Sequence, residues 1–246
     1  MRHNFRECRT FMFDCDGTLW TPSGLIPGAA DLIDYLKKSG RQCLLITNNS
    51  SKSVEKNYEL CCKLGLAVDK VDFNFLVIAA AVAAYYLSKK GIRGPVYVIG
   101  RDGLANEFDK VGISYFGIGV SGLRCGSVLV GYDPYFNYVK LMKAASFIDG
   151  GCQFFATNED SRLPASGKSP AIINVPLVCY LNILTQLLPV IFGKPNKPIF
   201  DYIVETRNIT PEQTIMIASK LRFISIGITL IFFTDYLLAL SVFKLE

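Results

Sequence analysis

Histidine is almost absent: the chain has one, His3, in a polar N-terminal arm. That scarcity excludes Ser-His-Asp hydrolysis, H-E-x-x-H metalloprotease chemistry and His-rich metal sites, each of which needs histidines this chain lacks. A C-x-x-C pair is also missing. The eight cysteines stand at 8, 15, 43, 61, 62, 125, 152 and 179. Several lie in apolar runs, where Cys behaves as a small hydrophobe. This usage predicts a reduced, cytoplasmic protein and no disulfide scaffold. The opening stretch M-R-H-N-F-R-E-C-R is charged where a secretory leader is apolar, so no signal peptide is expected. Nor do the basic residues form any block of five or more. The net charge of +5 therefore gives no nucleic-acid footprint, although a mild positive balance suits an anionic substrate.

What is present is concentrated in F-M-F-D-C-D-G-T, Phe11 to Thr18. Three apolar residues running into two aspartates predict a buried parallel strand that opens onto a loop. Ligands of open α/β sheets bind at the carboxyl ends of strands, so Asp14 and Asp16 are presented together to one site. Cys15 between them should point the other way, because side chains alternate along a strand. Gly17 lets the chain turn. A carboxylate such as Asp14 can attack phosphorus and form an aspartyl-phosphate. A second, Asp16, can protonate the departing alkoxide and then deprotonate water. Two carboxylates facing a phosphate dianion call for a cation, and Mg²⁺ suits because it takes oxygen ligands and shares them with phosphate.

The string F-D-C-D-G-T-L-W resembles the first motif of the haloacid dehalogenase-type phosphatases. Up to about Met216 the chain is similar to the eukaryotic phosphoglycolate phosphatases, which also hydrolyse glycerol 3-phosphate and p-nitrophenyl phosphate. The pyridoxal phosphatases are their close relatives. The resemblance implies an α/β fold with a Rossmann-like parallel-sheet catalytic core and an inserted α/β cap domain. Residues 1–90 would form the first half of the core, 91–185 the cap, and 186–246 the second half. It implies Mg²⁺ held by Asp14 and Asp16, a small phosphate ester as substrate, and a homodimer through the cap.

Taken in order, Trp20 to Pro27 reads as a loop and Ala29 to Ser39 as an amphipathic helix with Leu32, Ile33 and Leu36 on one face. R-Q-C-L-L-I at 41–46 reads as a second strand, ending in Thr47-Asn48-Asn49-Ser50. That ending resembles the family's second motif, which implies that Thr47, Asn48 and Asn49 bind the phosphoryl group; an ordinary helix cap is the competing reading. Helix-like 52–64 would then aim its N-terminus at an anion. Asn74 to Ser88 reads as an Ala-rich helix. Strand and helix signals alternate from 95 to 158, enough for a second α/β unit. In the resemblance this is the cap, carried by V-L-V-G-Y-D-P-Y-F-N-Y-V-K-L and A-T-N-E-D-S-R-L-P. Arg162 is read as a surface arginine and left out of the site. Phe192-Gly193-Lys194-Pro195 resembles the third motif, implying that Lys194 balances charge between Asp14 and the phosphate.

The pattern stops after the strand expected at 214–217. Where relatives carry Gly-Asp-Arg-Leu-Asp-x-Asp, this chain has Ala218-Ser219-Lys220-Leu221-Arg222-Phe223-Ile224, and no acidic residue lies between Glu212 and Asp235. From about 218 the tail is atypical and almost wholly apolar, long enough to cross a bilayer but with Asp235 near its middle. It reads as a substitute strand and helix, as a tail anchor, or as a replaced terminus, and the abrupt end of the resemblance favours the last. No membrane association is expected. The sequence thus reads as a Mg²⁺-dependent phosphomonoesterase. The alternative is a catalytically impaired, fold-retaining variant that binds phosphate ligands or a partner subunit.

Overall fold

The computed structural model describes residues 7–66, 75–92, 94–118, 124–160, 162–163, 171–172, 175–218 and 229–231. From the N-terminus run β1 (Thr10–Asp14), the short hairpin β2 (Trp20–Thr21) and β3 (Gly24–Leu25), α1 (Ala29–Lys38), β4 (Gln42–Thr47), α2 (Val54–Lys63), β5 (Leu76–Ile78) and α3 (Ala79–Lys90). Next come β6 (Val96–Ile99), α4 (Asp102–Val111), β7 (Tyr115–Phe116), β8 (Ser127–Val130), α5 (Tyr138–Asp149) and β9 (Gln153–Ala156). The two-residue strands β10 (Arg162–Leu163) and β11 (Ala171–Ile172) lead to α6 (Val175–Thr185) and β12 (Val190–Ile191), and α7 (Lys197–Arg207), β13 (Thr214–Ile217) and β14 (Thr229–Ile231) follow.

Two five-stranded sheets organise these elements. The first has the order β14-β13-β1-β4-β5 and the second β12-β9-β8-β6-β7. Every pairing in both is parallel. Such sheets need helices on both faces, so their strands read as continuous apolar runs. Phe11, Met12 and Phe13 of β1 are accordingly all fully buried.

Alternation along the strands sorts the core into three clusters. Phe11, Phe13, Leu45 and Ile215 face Leu32 and Leu36 of α1. On the other face Met12, Leu44, Val77 and Met216 share one cluster with α3, α4 and α7, and with Val98, Leu129 and Phe155 of the second sheet. The second sheet's far face, with Val128, Val130 and Phe154, packs on Ala144 and Ile148 of α5 and Leu177 and Leu181 of α6. Helix α3 is Ala-rich because it is buried on several sides between layers, with Ala79, Ala80, Ala83 and Ala84 all at 2% exposure or less. Small side chains let neighbouring backbones approach.

The expected α/β class with a Rossmann-like parallel sheet is what the structure has. Two local readings change: within Trp20 to Pro27, read as a loop, Trp20–Thr21 and Gly24–Leu25 pair as a short antiparallel hairpin, and the Ala-rich helix starts later. The helix begins at Ala79, not Asn74, because Leu76–Ile78 is taken as β5 beside β4. Three apolar residues running straight into an alanine helix carry no boundary that sequence periodicity can detect. At the other end, Thr229–Ile231 of the apolar tail pairs in parallel with β13 as an outer strand. The rest of the tail, and the anchor and replaced-terminus readings of it, lie outside the described residues. Among the described residues no helix is long and apolar enough to cross a membrane.

Candidate active site

Parallel register brings β1 and β4 to an end side by side, with Asp14 opposite Ile46. The chain then reverses at Gly17, whose φ of +82° favours glycine. Gly17 N donates to Trp20 O at 2.7 Å, closing the turn and folding Trp20 back over Asp16. Trp20 Nε1 donates to Asp16 Oδ1 and Thr47 Oγ1 to Asp16 Oδ2, both at 3.1 Å. The Thr47 hydroxyl also accepts from Asn49 N at 3.0 Å. Cys15 is fully buried against the α1 side of the sheet, as alternation requires.

Asp14 and Asp16 stand in different surroundings. The Asp14 carboxylate takes the Lys194 ammonium on Oδ1, along with Cys15 N at 2.9 Å. Thr18 Oγ1 reaches Oδ2 at 3.4 Å. Among the described residues no ion pair is made by Asp16. Burial, and then the negative charge of Asp14, push its carboxyl above the ordinary aspartate value; the bonds from Thr47 and Trp20 and the charge of Lys194 pull the other way. A carboxylate paired with a lysine beside one whose proton affinity is raised is the arrangement a nucleophile and a general acid require.

Lys194 is 3% exposed. A buried ammonium is tolerated only when paired and hydrogen-bonded. Lys194 Nζ meets the Asp14 carboxylate and donates to Ile46 O at 2.9 Å. Its backbone is held as well: Lys194 N donates to Asn48 Oδ1 at 2.8 Å, and Asn48 Nδ2 donates to Lys194 O at 3.0 Å. Asn48 Nδ2 also reaches Asp160 Oδ2 at 3.0 Å, so the carboxamide is turned to Lys194 and Asp160. Asn49 Oδ1 accepts from Ser51 N at 3.0 Å and Ser51 Oγ at 2.6 Å. The N-terminus of α2 does not face an open anion site. Ser53 accepts from Lys56 N, and the buried Glu107 accepts from Val54 N at 2.8 Å.

The structure therefore gathers Asp14, Asp16, Thr47 and Asn48 from the first sheet and Lys194 from beyond β12 of the second in one place, from segments as far as 180 residues apart. Asn158 and Asp160, after β9, join them unforeseen: Asn158 Nδ2 donates to Asn48 O at 2.7 Å. They occur within A-T-N-E-D, but nothing local in that string marks a contact with residue 48. The side chain of Arg162 lies outside the described residues.

The donor set suits Mg²⁺ in kind, since Asp14 and Asp16 offer only hard oxygen ligands. Among the described residues no group of three or more His, Cys, Asp or Glu is placed to hold a metal. The segment after β13, where relatives place further acids, lies outside them.

Comparison with known proteins places the chain. Residues 11–114 match the haloacid dehalogenase-like hydrolase family. Human glycerol-3-phosphate phosphatase is 32% identical over 233 residues, spanning 86% of this chain and 73% of the relative. A 4-nitrophenylphosphatase from Thermotoga maritima superposes with a TM-score of 0.84 at 23% identity, covering 94% of this chain and 87% of its own. A glycerol phosphate phosphatase from Mycobacterium tuberculosis, solved in complex with magnesium, gives 0.76 at 24% identity over 89% of this chain and 64% of its own. The chain belongs to the haloacid dehalogenase-like hydrolases, among their phosphatases.

Proposed function

We propose that this phosphatase is a Mg²⁺-dependent phosphomonoesterase acting on a small ester of the glycerol 3-phosphate or 2-phosphoglycolate class. The observation that carries the reading is the contact of buried Lys194 with Asp14, beside an Asp16 held by Trp20 and Thr47. The 32% identity to human glycerol-3-phosphate phosphatase supports the substrate class.

In this reading a carboxylate oxygen of Asp14 attacks phosphorus as the phosphorus–oxygen bond to the alcohol breaks. Asp16 passes its proton to the leaving alkoxide, and its raised proton affinity suits that task. Asp16 then takes a proton from water, whose oxygen attacks the phosphorus of the aspartyl-phosphate. The bond to Asp14 breaks, and inorganic phosphate and the Asp14 carboxylate are released. Lys194 offsets charge where the dianion meets Asp14. The hydroxyl of Thr47 and the chain at Asn48 and Asn49 form the phosphoryl cradle. Asp14 and Asp16 would hold Mg²⁺, which when bound screens the phosphate from both carboxylates.

The test is a cold-acid quench with radiolabelled substrate. A hydroxylamine-sensitive phosphoenzyme should map to Asp14, and Asp14→Asn should abolish it while lowering turnover by on the order of 10³-fold or more. Undiminished turnover in Asp14→Asn would overturn the mechanism.

A further inference from the structure

We propose that Asn48 is the positioning residue of Lys194, acting on it through its backbone, and that Asn158 braces Asn48 for that purpose. The inference rests on the proposed roles of Asp14 and Lys194. A lysine side chain is long and flexible, and placing its ammonium on one carboxylate oxygen requires a fixed backbone at its root. Asn48 supplies that. Its carboxamide pairs with both polar groups of residue 194, accepting from the N–H at 2.8 Å and donating to the C=O at 3.0 Å. This is the pattern one strand presents to another, made here by a side chain. The orientation is set by the partners, because a swapped amide would set its NH₂ against an N–H.

Three further observations show that the arrangement is built. Asn48 is 7% exposed and Asn158 3% exposed, so neither amide has water as an easy substitute and each bond is costly to leave unmade. Asn158 Nδ2 fixes Asn48 O at 2.7 Å, and Asn158 Oδ1 accepts from Asp160 N at 3.1 Å. The backbone before the lysine has been cleared for the contact as well. A Cβ on Gly193 would lie 2.6 Å from Asn48 Oδ1 and 2.5 Å from Thr157 O, both closer than real Cβ contacts. Asn48 follows the first sheet's β4 whereas Asn158 follows the second sheet's β9. The lysine is thus seated jointly by the two sheets, and the carboxamide N–H groups go to Lys194 O and Asp160.

A residue that acts only through Lys194 should matter only when Lys194 is there. In the full chain, kcat and KM for p-nitrophenyl phosphate are measured for Asn48→Ala, Lys194→Ala and the double variant. Asn48→Ala should lower kcat by tenfold or more in the unmodified background, and by no more than about twofold when Lys194 is already Ala. A loss of equal size in both backgrounds would show that Asn48 acts on the substrate or on the fold directly, and the proposal falls. A readout independent of turnover follows reductive methylation of Lys194 by peptide mass spectrometry, with exposed Lys197 as internal reference. Lys194 should label at least tenfold more slowly than Lys197, and Asn48→Ala should raise its rate several-fold while leaving Lys197 unchanged. An unchanged Lys194 rate overturns the proposal even if the chain hydrolyses nothing. If Lys194→Ala retains full activity while the labelling result holds, the catalytic role of Lys194 fails and its seating by Asn48 stands. Should Asn48→Ala not fold, isosteric Asn48→Asp, which turns the donor to Lys194 O into an acceptor, is measured in the same two ways.

Discussion

At the carboxyl ends of the first sheet stand side chains with charge or hydroxyls: Asp14 at the end of β1, Asp16 just beyond it, and Thr47 at the end of β4. Strand ends of the second sheet carry glycine instead, while Asn158 comes two residues after β9. Gly100 follows β6, Gly131 follows β8, and Gly193 comes two residues after β12. Both sheets are five-stranded and wholly parallel, so the difference lies in what each strand end is asked to do. A Cβ on Gly131 would sit 2.8 Å from Leu104 Cδ1 and 3.0 Å from Ser50 Oγ. The second sheet has been trimmed so that α4 and the segment after β4 can lie across its ends. At the first sheet these ends, where ligands of parallel sheets collect, carry the candidate catalytic carboxylates; at the second, glycines after β6 and β8 make room for the first sheet's loop, while the segments after β9 and β12 bring Asn158 and Lys194 to the same place. The candidate catalytic carboxylates thus come from the first sheet and the close fit from the second, which also contributes the charge of Lys194.

The sharpest test of that division, after Asp14, is Asp16→Asn. The asparagine keeps the shape, but its one amide oxygen can accept from Trp20 or from Thr47, not from both, and it has no acidic proton to give. Alkyl phosphates, whose leaving group needs that proton, should lose about 10²–10⁴-fold in kcat. p-Nitrophenyl phosphate, which leaves as a stable phenolate, should lose far less. Equal losses on the two substrates would remove the general-acid role.

Next in size is the segment after β13. Strand β13 is β1's other neighbour, so its carboxyl end also adjoins Asp14, yet Ser219 and Arg222 follow it. A hydroxyl is a weak ligand for a hard dication, and nearby positive charge opposes binding. The chain should therefore need more Mg²⁺ than its relatives. Ser219→Asp with Arg222→Asp should lower the Mg²⁺ concentration for half-maximal hydrolysis by about tenfold, roughly 1.4 kcal/mol per decade. Fast turnover of the unmodified chain at low Mg²⁺ would show that another group completes the shell.

These two tests draw on residues the sequence makes visible, and for a physical reason. Apolar runs of three or four residues ending at glycine or polar residues mark β1, β4, β6, β8, β9 and β13, because burial on both faces leaves that signature. The D-x-D, T-N-N and G-K-P strings lie at such ends and could be located one by one. What the sequence leaves hidden is long-range. Asn158 and Asn48 are 110 residues apart, and an asparagine after a strand reads locally as a turn or cap. Glu107 was hidden in the same way: a glutamate within α4 looks solvated until Val54 N is found on it.

The fit side of the comparison is tested at Gly103, in the first turn of α4. Alanine there should favour the helix by up to about 1 kcal/mol. Against that, its Cβ would lie 2.5 Å from Ser50 O and 2.6 Å from Lys52 N. Both are backbone atoms, which cannot swing aside as a side chain would. The clash should win, with a net loss of about 1–3 kcal/mol in urea unfolding. A stabilised Gly103→Ala would mean that the segment after β4 is not held as tightly as the glycine pattern implies.

The smallest expected effect is at Trp20, where packing and proton affinity meet. Trp20 Nε1 donates to Asp16 Oδ1 at 3.1 Å, and this bond favours the ionised carboxylate, partly opposing the upward push of burial and Asp14. A general acid works only while protonated, so activity falls as pH rises through the Asp16 pKa. Removing the donor in Trp20→Phe destabilises the carboxylate relative to the acid and raises that pKa further. The alkaline limb of kcat should then move to higher pH. A hydrogen bond to a charged group contributes about 1.5 kcal/mol net, and about 1.4 kcal/mol corresponds to one pKa unit. The shift should be reduced where water partly replaces the indole, but upward in direction. Because the indole is only 6% exposed, phenylalanine also leaves a small void, which would lower stability without moving the limb. A limb that stays in place, or moves to lower pH, would show that the bond from Trp20 does not tune the acid and that the indole serves packing alone.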